Sequence, residues 1–281
     1  MQKTETSTIT EFILIAGMGE LPVRLVRSAI QQGIKVRVFS LASDNFSKLS
    51  SLVTTLRFSP VEVFRMLDEI KKSGIKNICF IGKVPKLEFF KNIHKLDTQL
   101  LKKIKELKDL NDDSLHFKIL DFLEREHGLK VIKQNIFLQD LFPSEQVFTA
   151  RQPSVSEFEE IVFGLNMAKG IAALDIGQVV VVQNKAVIAV EAIEGTSACI
   201  KRAMQKTNFL KQKSDLVVCK VSKPNQDERF DMPVIGVETI KILPKNSILA
   251  IEAHKTFFVD QERAIELADK KNICIMAKQL H

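Results

Sequence analysis

The sequence predicts an α/β protein of two domains, with a parallel-sheet domain over residues 1–145 and a mixed α/β domain over residues 146–281. Three observations carry that expectation. Short apolar runs alternate with helical patterns through the first eighty residues. The second half instead holds a hairpin signal followed by spaced apolar runs. Between Leu141 and Pro153 the periodicity breaks up around Pro143, Ser144, Pro153 and Ser154, the composition of a linker.

Taken in order, Phe12 to Ala16 is a short apolar run ended by Gly17, and Leu21, Leu25, Val26, Ala29 and Ile30 then recur at helical spacing until Gly33. Val36 to Leu41 reads as a second strand and Leu52 to Phe58 as a third. Pro60 opens a helix carrying Val63, Phe64, Leu67 and Ile70, and Ile78 to Ile81 gives another strand. Strands joined through helices of this length form a parallel sheet, whose ligands bind beyond the carboxyl ends of the strands. Gly17 and Gly82 stand at those ends. From Leu87 to Leu107, Ile93, Leu96, Leu100, Ile104 and Leu107 mark an amphipathic helix; a further helix starts near Asp113 and closes at His127-Gly128, before a strand over Leu129 to Ile132. Beyond the linker the pattern predicts a helix over Val155 to Leu174 and a hairpin of Val179 to Val182 and Ala186 to Val190 turning at Asn184-Lys185. A helix over Thr196 to Met204 and a strand over Leu216 to Val221 follow. After a polar loop from Lys223 to Pro233 come strands near Ile248 to Glu252, Phe257 to Val259 and Ile273 to Ala277, with a helix over Asp260 to Lys270 before the last.

Composition narrows the function classes. With 45% hydrophobic and 27% charged residues but only 11 Gly and 8 Pro, the chain is neither collagen-like nor disordered. No run of 18 apolar residues occurs and Met1 to Thr10 is polar, so neither a membrane span nor a secretory leader is expected. The four cysteines form no Cys-x-x-Cys pair, which points to reduced, buried thiols. The five histidines show no His-x-x-x-His or His-Glu-x-x-His spacing, and neither a Gly-x-Ser-x-Gly elbow nor a phosphate-binding Gly-x-x-x-x-Gly-Lys-[Ser/Thr] loop is present. Zinc hydrolases, serine esterases and P-loop NTPases are thereby disfavoured.

Net charge is +7, and the stretch Lys83 to Lys108 concentrates it. Such a patch favours anionic partners or an acidic membrane surface, unless it is simply a solvated helix face. Nucleic acid is not expected as a partner, because Tyr and Trp are absent from the whole chain and no RNA- or DNA-binding signature accompanies the lysines.

Three segments carry residues suited to phosphate chemistry. Gly17-Met18-Gly19-Glu20-Leu21-Pro22 joins a strand to a helix, so the amides at Gly17 and Gly19 could cradle an anion, or the glycines could merely shape a tight turn. It is a poor dinucleotide fingerprint, since Pro22 stands where the third glycine belongs and Asp44 is a late candidate for the ribose acid. Lys83, directly after Gly82, could point into the same crevice. The densest constellation is Lys223-Pro224-Asn225-Gln226-Asp227-Glu228-Arg229-Phe230-Asp231-Met232-Pro233. Carboxylates flanked by cations are what Mg²⁺ and a diphosphate require, although a solvated loop of mutually paired charges has the same spacing. Finally, Glu191-Ala192-Ile193-Glu194-Gly195-Thr196 places acids and amides where a strand passes into a helix, with Lys201 and Arg202 further along it.

These blocks, together with Asp112-Asp113-Ser114-Leu115 and Leu174-Asp175-Ile176-Gly177-Gln178, resemble the LpxI-type UDP-2,3-diacylglucosamine pyrophosphatases, in family order and across nearly the whole chain. The resemblance implies an N-terminal Rossmann-like domain and a C-terminal catalytic α/β domain, with the lipid product held between them. It implies a cytoplasmic enzyme, peripheral to the inner membrane, that needs Mg²⁺ and hydrolyses UDP-2,3-diacylglucosamine to UMP and lipid X in lipid A synthesis. A homodimer is left open. Carried over by motif, Asp227 and Asp231 are the catalytic and metal-binding pair. Lys223, Gln226 and Arg229 contact the pyrophosphate, and Gly17, Gly19, Lys83, Glu194, Gly195, Thr196 and Arg202 complete the substrate-binding set. Ser197 departs from the family's usual Asp at that position, which removes one acidic group from the outer part of the site.

On this reading water attacks in line at a phosphorus of the diphosphate bridge, the one next to uridine, without a phosphoenzyme. A carrier that binds the same nucleotide sugar without cleaving it, and a transferase using another acceptor, are the rival expectations.

Overall fold

A computed structural model describes residues 9–83, 118–210, 216–230 and 232–280. The amphipathic helix expected over Leu87 to Leu107 and the start of the helix expected near Asp113 lie outside the described residues, as does Asp231. The fold is α/β throughout, and the chain divides into two compact units. One comprises Met1–Gln139 with Glu228–Asp231, the other Asp140–Asp227 with Met232–His281. The sequence reading assigned the whole 223–233 loop to the second domain; in the structure its middle belongs to the first unit.

The N-terminal unit is built on a five-stranded, wholly parallel sheet. Its strands are β1 (Glu11–Ala16), β2 (Lys35–Ser40), β3 (Thr55–Arg57), β4 (Asn77–Ile81) and β5 (Lys130–Val131), in the order β3-β2-β1-β4-β5. This is the Rossmann-like half expected, with β1 central because Phe12, Ile13, Leu14 and Ala16 are wholly buried. Helix α1 (Leu21–Gln31) buries Val23, Leu25, Val26 and Ala29; α2 (Phe46–Ser50) is a short turn absent from the sequence reading; and α3 (Val63–Ser73) buries Met66, Leu67 and Ile70. Helix α3 starts after Pro60, because Ser59 donates its amide to the Glu62 carboxylate in a preceding turn. The third strand keeps only Thr55–Arg57 of the expected Leu52 to Phe58. Phe230 enters this unit's core with Ile15, Phe58 and Val131, its ring 5.3 Å from that of Phe80.

The C-terminal unit holds a six-stranded mixed sheet. Strands β6 (Gln146–Val147), β7 (Val179–Gln183), β8 (Ala186–Val190), β9 (Val217–Lys220), β11 (Ile248–Glu252) and β13 (Cys274–Lys278) run in the order β6-β13-β11-β9-β7-β8. The strands β9, β11 and β13 are mutually parallel, and β7 runs antiparallel to both β8 and β9. Because side chains alternate along a strand, Val179, Val181, Val218, Leu249, Ile251 and Ile275 face one core while Val180, Val182, Val217, Ala250 and Met276 face another. Helix α4 (Val155–Ala173) covers the second face and is opened by a capping box, in which Ser154 and Glu157 exchange side-chain and backbone bonds. The β7–β8 turn places Asn184 and Lys185 at φ of 52° and 55°, the two-residue hairpin geometry that the sequence signalled.

Helix α5 (Thr196–Leu210) follows β8. The strand β10 (Val234–Ile235) pairs in parallel with β12 (Phe257–Phe258), α6 (Val237–Ile242) lies between β10 and β11, and α7 (Gln261–Lys270) precedes β13. β10 and α6 are too short to show a period, and β6 occupies the segment read as a linker. Among the described residues no helix is long and apolar enough to cross a membrane. All four cysteines are free and buried, and burial pushes the Cys79 thiol up to about 12 and that of Cys199 up to about 11.

Candidate active site

In the N-terminal unit the sheet order reverses between β1 and β4, where an open parallel sheet places its ligand crevice. Here the two glycine loops meet backbone to backbone. The Met18 amide donates to the Lys83 carbonyl at 2.8 Å and the Lys83 amide to the Met18 carbonyl at 3.2 Å. A Cβ on Gly17 would lie 2.7 Å from both the carbonyl carbon and oxygen of Gly82, so only glycine allows this approach. The Gly17 amide bonds to the Ile81 carbonyl and the Gly19 amide to Asp44 Oδ2 at 2.9 Å; buried Asn45 donates Nδ2 to the carbonyls of Gly17 and Gly19. Glu20, at the helix start, pairs with Lys48. The amides of Gly17 and Gly19 thus have partners within the protein, and an anion arriving at Gly19 would have to displace a carboxylate. Lys83 is exposed.

The C-terminal unit gathers its polar groups where the parallel strands β9 and β11 end. Gln178 and Val179 enter β7 at this edge, and Val190 and Glu191 leave β8 there. Glu191 Oε2 accepts the Gln178 amide at 3.0 Å while Oε1 accepts the Thr196 hydroxyl at 2.8 Å. Lys220, the last residue of β9, donates to Thr196 Oγ1 at 3.3 Å and to the Val234 carbonyl at 3.0 Å. Lys223 pairs with Asp175, and its amide bonds to Gln226 Oε1, which also accepts from Gln178 Nε2. Behind them Lys169 and Glu252 form an ion pair at 2.7 Å that also holds Ser222.

The 191–196 segment is largely self-contained. Gly195 donates its amide to Ala192, and Arg202 bonds both to Glu194 Oε1 and to the Val190 carbonyl. Its own backbone amide and Arg202 hold the Glu194 carboxyl below the ordinary carboxylate range. The structure therefore brings together Thr196, Lys223 and Gln226 of the sequence-chosen residues, and uses Glu194, Gly195 and Arg202 to shape the neighbouring turn.

Past Asp227, which is partly buried, the loop enters the N-terminal unit. There Glu228 pairs with Lys133 at 3.2 Å, its carbonyl accepts the Gln134 amide, and Arg229 pairs with Glu124 at 3.4 Å. Lys169, Lys220, Ser222 and Glu252 were not singled out from the sequence. For Lys220 and Glu252 the signal was a charged residue ending an apolar run, Leu216 to Cys219 and Ile248 to Ile251; Lys169 and Ser222 carry no such mark.

Among the described residues no three His, Cys, Asp or Glu side chains cluster as a metal site. Asp175, Glu191 and Glu252 already hold Lys223, Thr196 and Lys169 respectively. Mg²⁺ takes one or two protein carboxylates and completes its shell with water and phosphate oxygens; of the two aspartates expected to hold it, Asp227 is partly buried and Asp231 lies outside the described residues.

These features define a two-unit α/β protein with a charged, hydrogen-bonded edge at the carboxyl ends of its second sheet. The chain belongs to the LpxI family: the LpxI N-terminal domain matches residues 11–141 and the LpxI C-terminal domain residues 144–276. UDP-2,3-diacylglucosamine pyrophosphatase LpxI of Caulobacter vibrioides is 28% identical over 274 residues, covering 94% of this chain and 95% of that protein. Among solved structures, phosphoribosylglycinamide formyltransferase from Anaplasma phagocytophilum matches at 15% identity with a TM-score of 0.24, over 40% of this chain and 58% of that one.

Proposed function

We propose that this protein hydrolyses the diphosphate bond of UDP-2,3-diacylglucosamine, giving UMP and 2,3-diacylglucosamine 1-phosphate, within lipid A synthesis. The observation that carries the proposal is the match to the Caulobacter vibrioides pyrophosphatase, which runs through both units of the chain. Lys223 and Gln226 bind and orient the diphosphate in the C-terminal unit, and Arg229 adds a further cation. Asp227 and Asp231 hold Mg²⁺, which when bound neutralises charge on the phosphates. Asp227 and Asp231 also orient the attacking water. Its oxygen forms a bond to the uridine-side phosphorus, the bridging P–O bond breaks and the sugar phosphate leaves; of the two water protons one stays on UMP and one passes to the sugar phosphate, and both go to solvent as the two monoesters ionise. The buried thiols stay protonated at neutral pH and take no part as nucleophiles.

The lysine-rich stretch Lys83 to Lys108 is proposed to hold the enzyme at an anionic membrane surface. Replacing its lysines weakens liposome binding more than turnover in detergent; equal loss of both counts against that role.

Incubation with substrate and Mg²⁺ in ¹⁸O-labelled water tests the reaction. Label in UMP supports attack at the uridine-side phosphorus, and label in the lipid product moves the attack to the other one. Tight binding without any UMP makes the protein a carrier instead.

A further inference from the structure

Ser222 is the root of the loop that carries Lys223, Gln226 and Asp227, and a single, largely buried ion pair holds all three of its polar groups. The parallel ladder between β9 and β11 ends at the pairing of Lys220 with Ile251. Beyond it, the Glu252 side chain takes over from the backbone: Oε2 accepts the Ser222 amide at 2.9 Å and the Ser222 hydroxyl at 3.0 Å. Lys169, from the last turns of α4, reaches both carboxylate oxygens at 2.7 and 2.8 Å and also donates to the Ser222 carbonyl at 2.9 Å. Glu252 is only 6% exposed.

A buried ion pair is a weak source of stability, since desolvation offsets most of its attraction and an apolar pair of similar volume does as well. What an apolar pair cannot do is accept an amide and a hydroxyl while donating to a carbonyl. The chain beyond Ser222 then closes on itself: the Lys223 amide bonds to Gln226 Oε1 at 3.3 Å and the Gln226 amide to the Lys223 carbonyl at 3.2 Å. The direction in which that turn projects is set at Ser222.

We propose that Glu252 and Lys169 are positioning residues, which aim the Lys223 to Asp227 stretch at the diphosphate without touching it. The assignment rests on the hydrolase reading above. Glu252→Gln keeps the side-chain volume and lowers kcat roughly 100-fold, the loss that goes with displacing reacting groups by about 1 Å. KM changes little and the unfolding transition stays cooperative, because Lys169 is 28% exposed and can turn to water once unpaired. Lys169→Met lowers kcat too and also costs stability, because it leaves the buried Glu252 carboxylate without its cation, whereas Lys169→Arg restores most of the rate, a guanidinium being able to bridge the same oxygens. Hydrogen–deuterium exchange over residues 223–227 accelerates in Glu252→Gln relative to wild type.

Wild-type kcat in Glu252→Gln, or a rate loss that merely tracks loss of folded protein, overturns the proposal. Unchanged exchange over 223–227 overturns it too, whether or not the protein turns over substrate. A wild-type protein that forms no UMP while the exchange difference persists removes the hydrolase reading and leaves Glu252 as the residue that orders this loop.

Discussion

Gly177 and Glu191 approach so closely that a Cβ on Gly177 would lie 2.2 Å from the Glu191 carbonyl oxygen. The contact sits beside the bonds from Gln178 and Thr196 to the Glu191 carboxylate. Gly177→Ala therefore pushes the end of β8 away from the start of β7, at a stability cost of about 1–3 kcal/mol. Turnover falls with it, since Thr196 and Gln178 lose their common partner. Denaturant unfolding and a UMP-release assay measure the two effects; wild-type values in both would show that the 191–196 segment yields freely.

How far the sequence could show this arrangement depended on distance along the chain. β1 and β11 were legible because each is a short apolar run buried on both faces. The β7–β8 hairpin was legible because Asn184 and Lys185 are adjacent turn formers. Lys223 and Gln226 stood out as members of one polar loop. Lys169 and Glu252 did not, since 83 residues separate them and only the packing of α4 on the sheet brings them together. Asp44 was named as a late candidate for the ribose acid, but its bond to the Gly19 amide, which spans 25 positions, was not legible. Charge density within the 223–233 loop likewise hid that Glu228 and Arg229 find their partners in the N-terminal unit.

The meeting of the two glycine loops makes a stability prediction for that unit. Gly17→Ala forces a methyl group against the backbone of Gly82 and Lys83, neither of which is the movable end of a side chain. The expected cost is about 1–3 kcal/mol. Gly82→Ala should cost at least as much, because its Cβ would meet the backbone of Gly17 and Met18 at a φ of 94°, which side chains rarely adopt. Denaturant midpoints that match wild type for both variants would show that the Met18–Lys83 bridge is not maintained in solution.

Glu160 makes a prediction about pH. Burial lifts its carboxyl above the ordinary 4.5, the amides of Asn184 and Lys185 offset that only in part, and Oε2 is buried with no hydrogen-bond partner. Well below pH 4.5 both folded and unfolded chains hold the proton and the residue costs nothing. As pH rises from there through the elevated folded value, the unfolded chain releases its proton first, so stability falls with rising pH across that window. Glu160→Gln should therefore stabilise the protein at pH 7 and confer no gain at pH 3. Partial exposure limits the gain to roughly 0.5 kcal/mol. Thermal or urea unfolding at the two pH values checks it, and an equal change at both would assign the effect to packing rather than charge.

The proposed metal role makes the sharpest demand on Asp227 and Asp231. Among the described acids of the C-terminal sheet edge, Asp175, Glu191 and Glu252 are committed to Lys223, Thr196 and Lys169, so replacing either loop aspartate leaves no ready substitute. Asp227→Asn and Asp231→Asn retain size and hydrogen-bonding capacity but lose the charge that a hard dication requires. Each should lower turnover roughly a thousandfold, the equivalent of about 4 kcal/mol of transition-state stabilisation. Chelation by EDTA should silence wild type and be reversed by Mg²⁺, while the Mg²⁺ concentration for half-maximal rate rises in whichever variant retains measurable activity. Both variants are expected to stay folded, which denaturant unfolding checks. A variant that reaches the wild-type rate at saturating Mg²⁺ removes that aspartate from the reaction, and wild-type turnover undiminished by EDTA removes the metal.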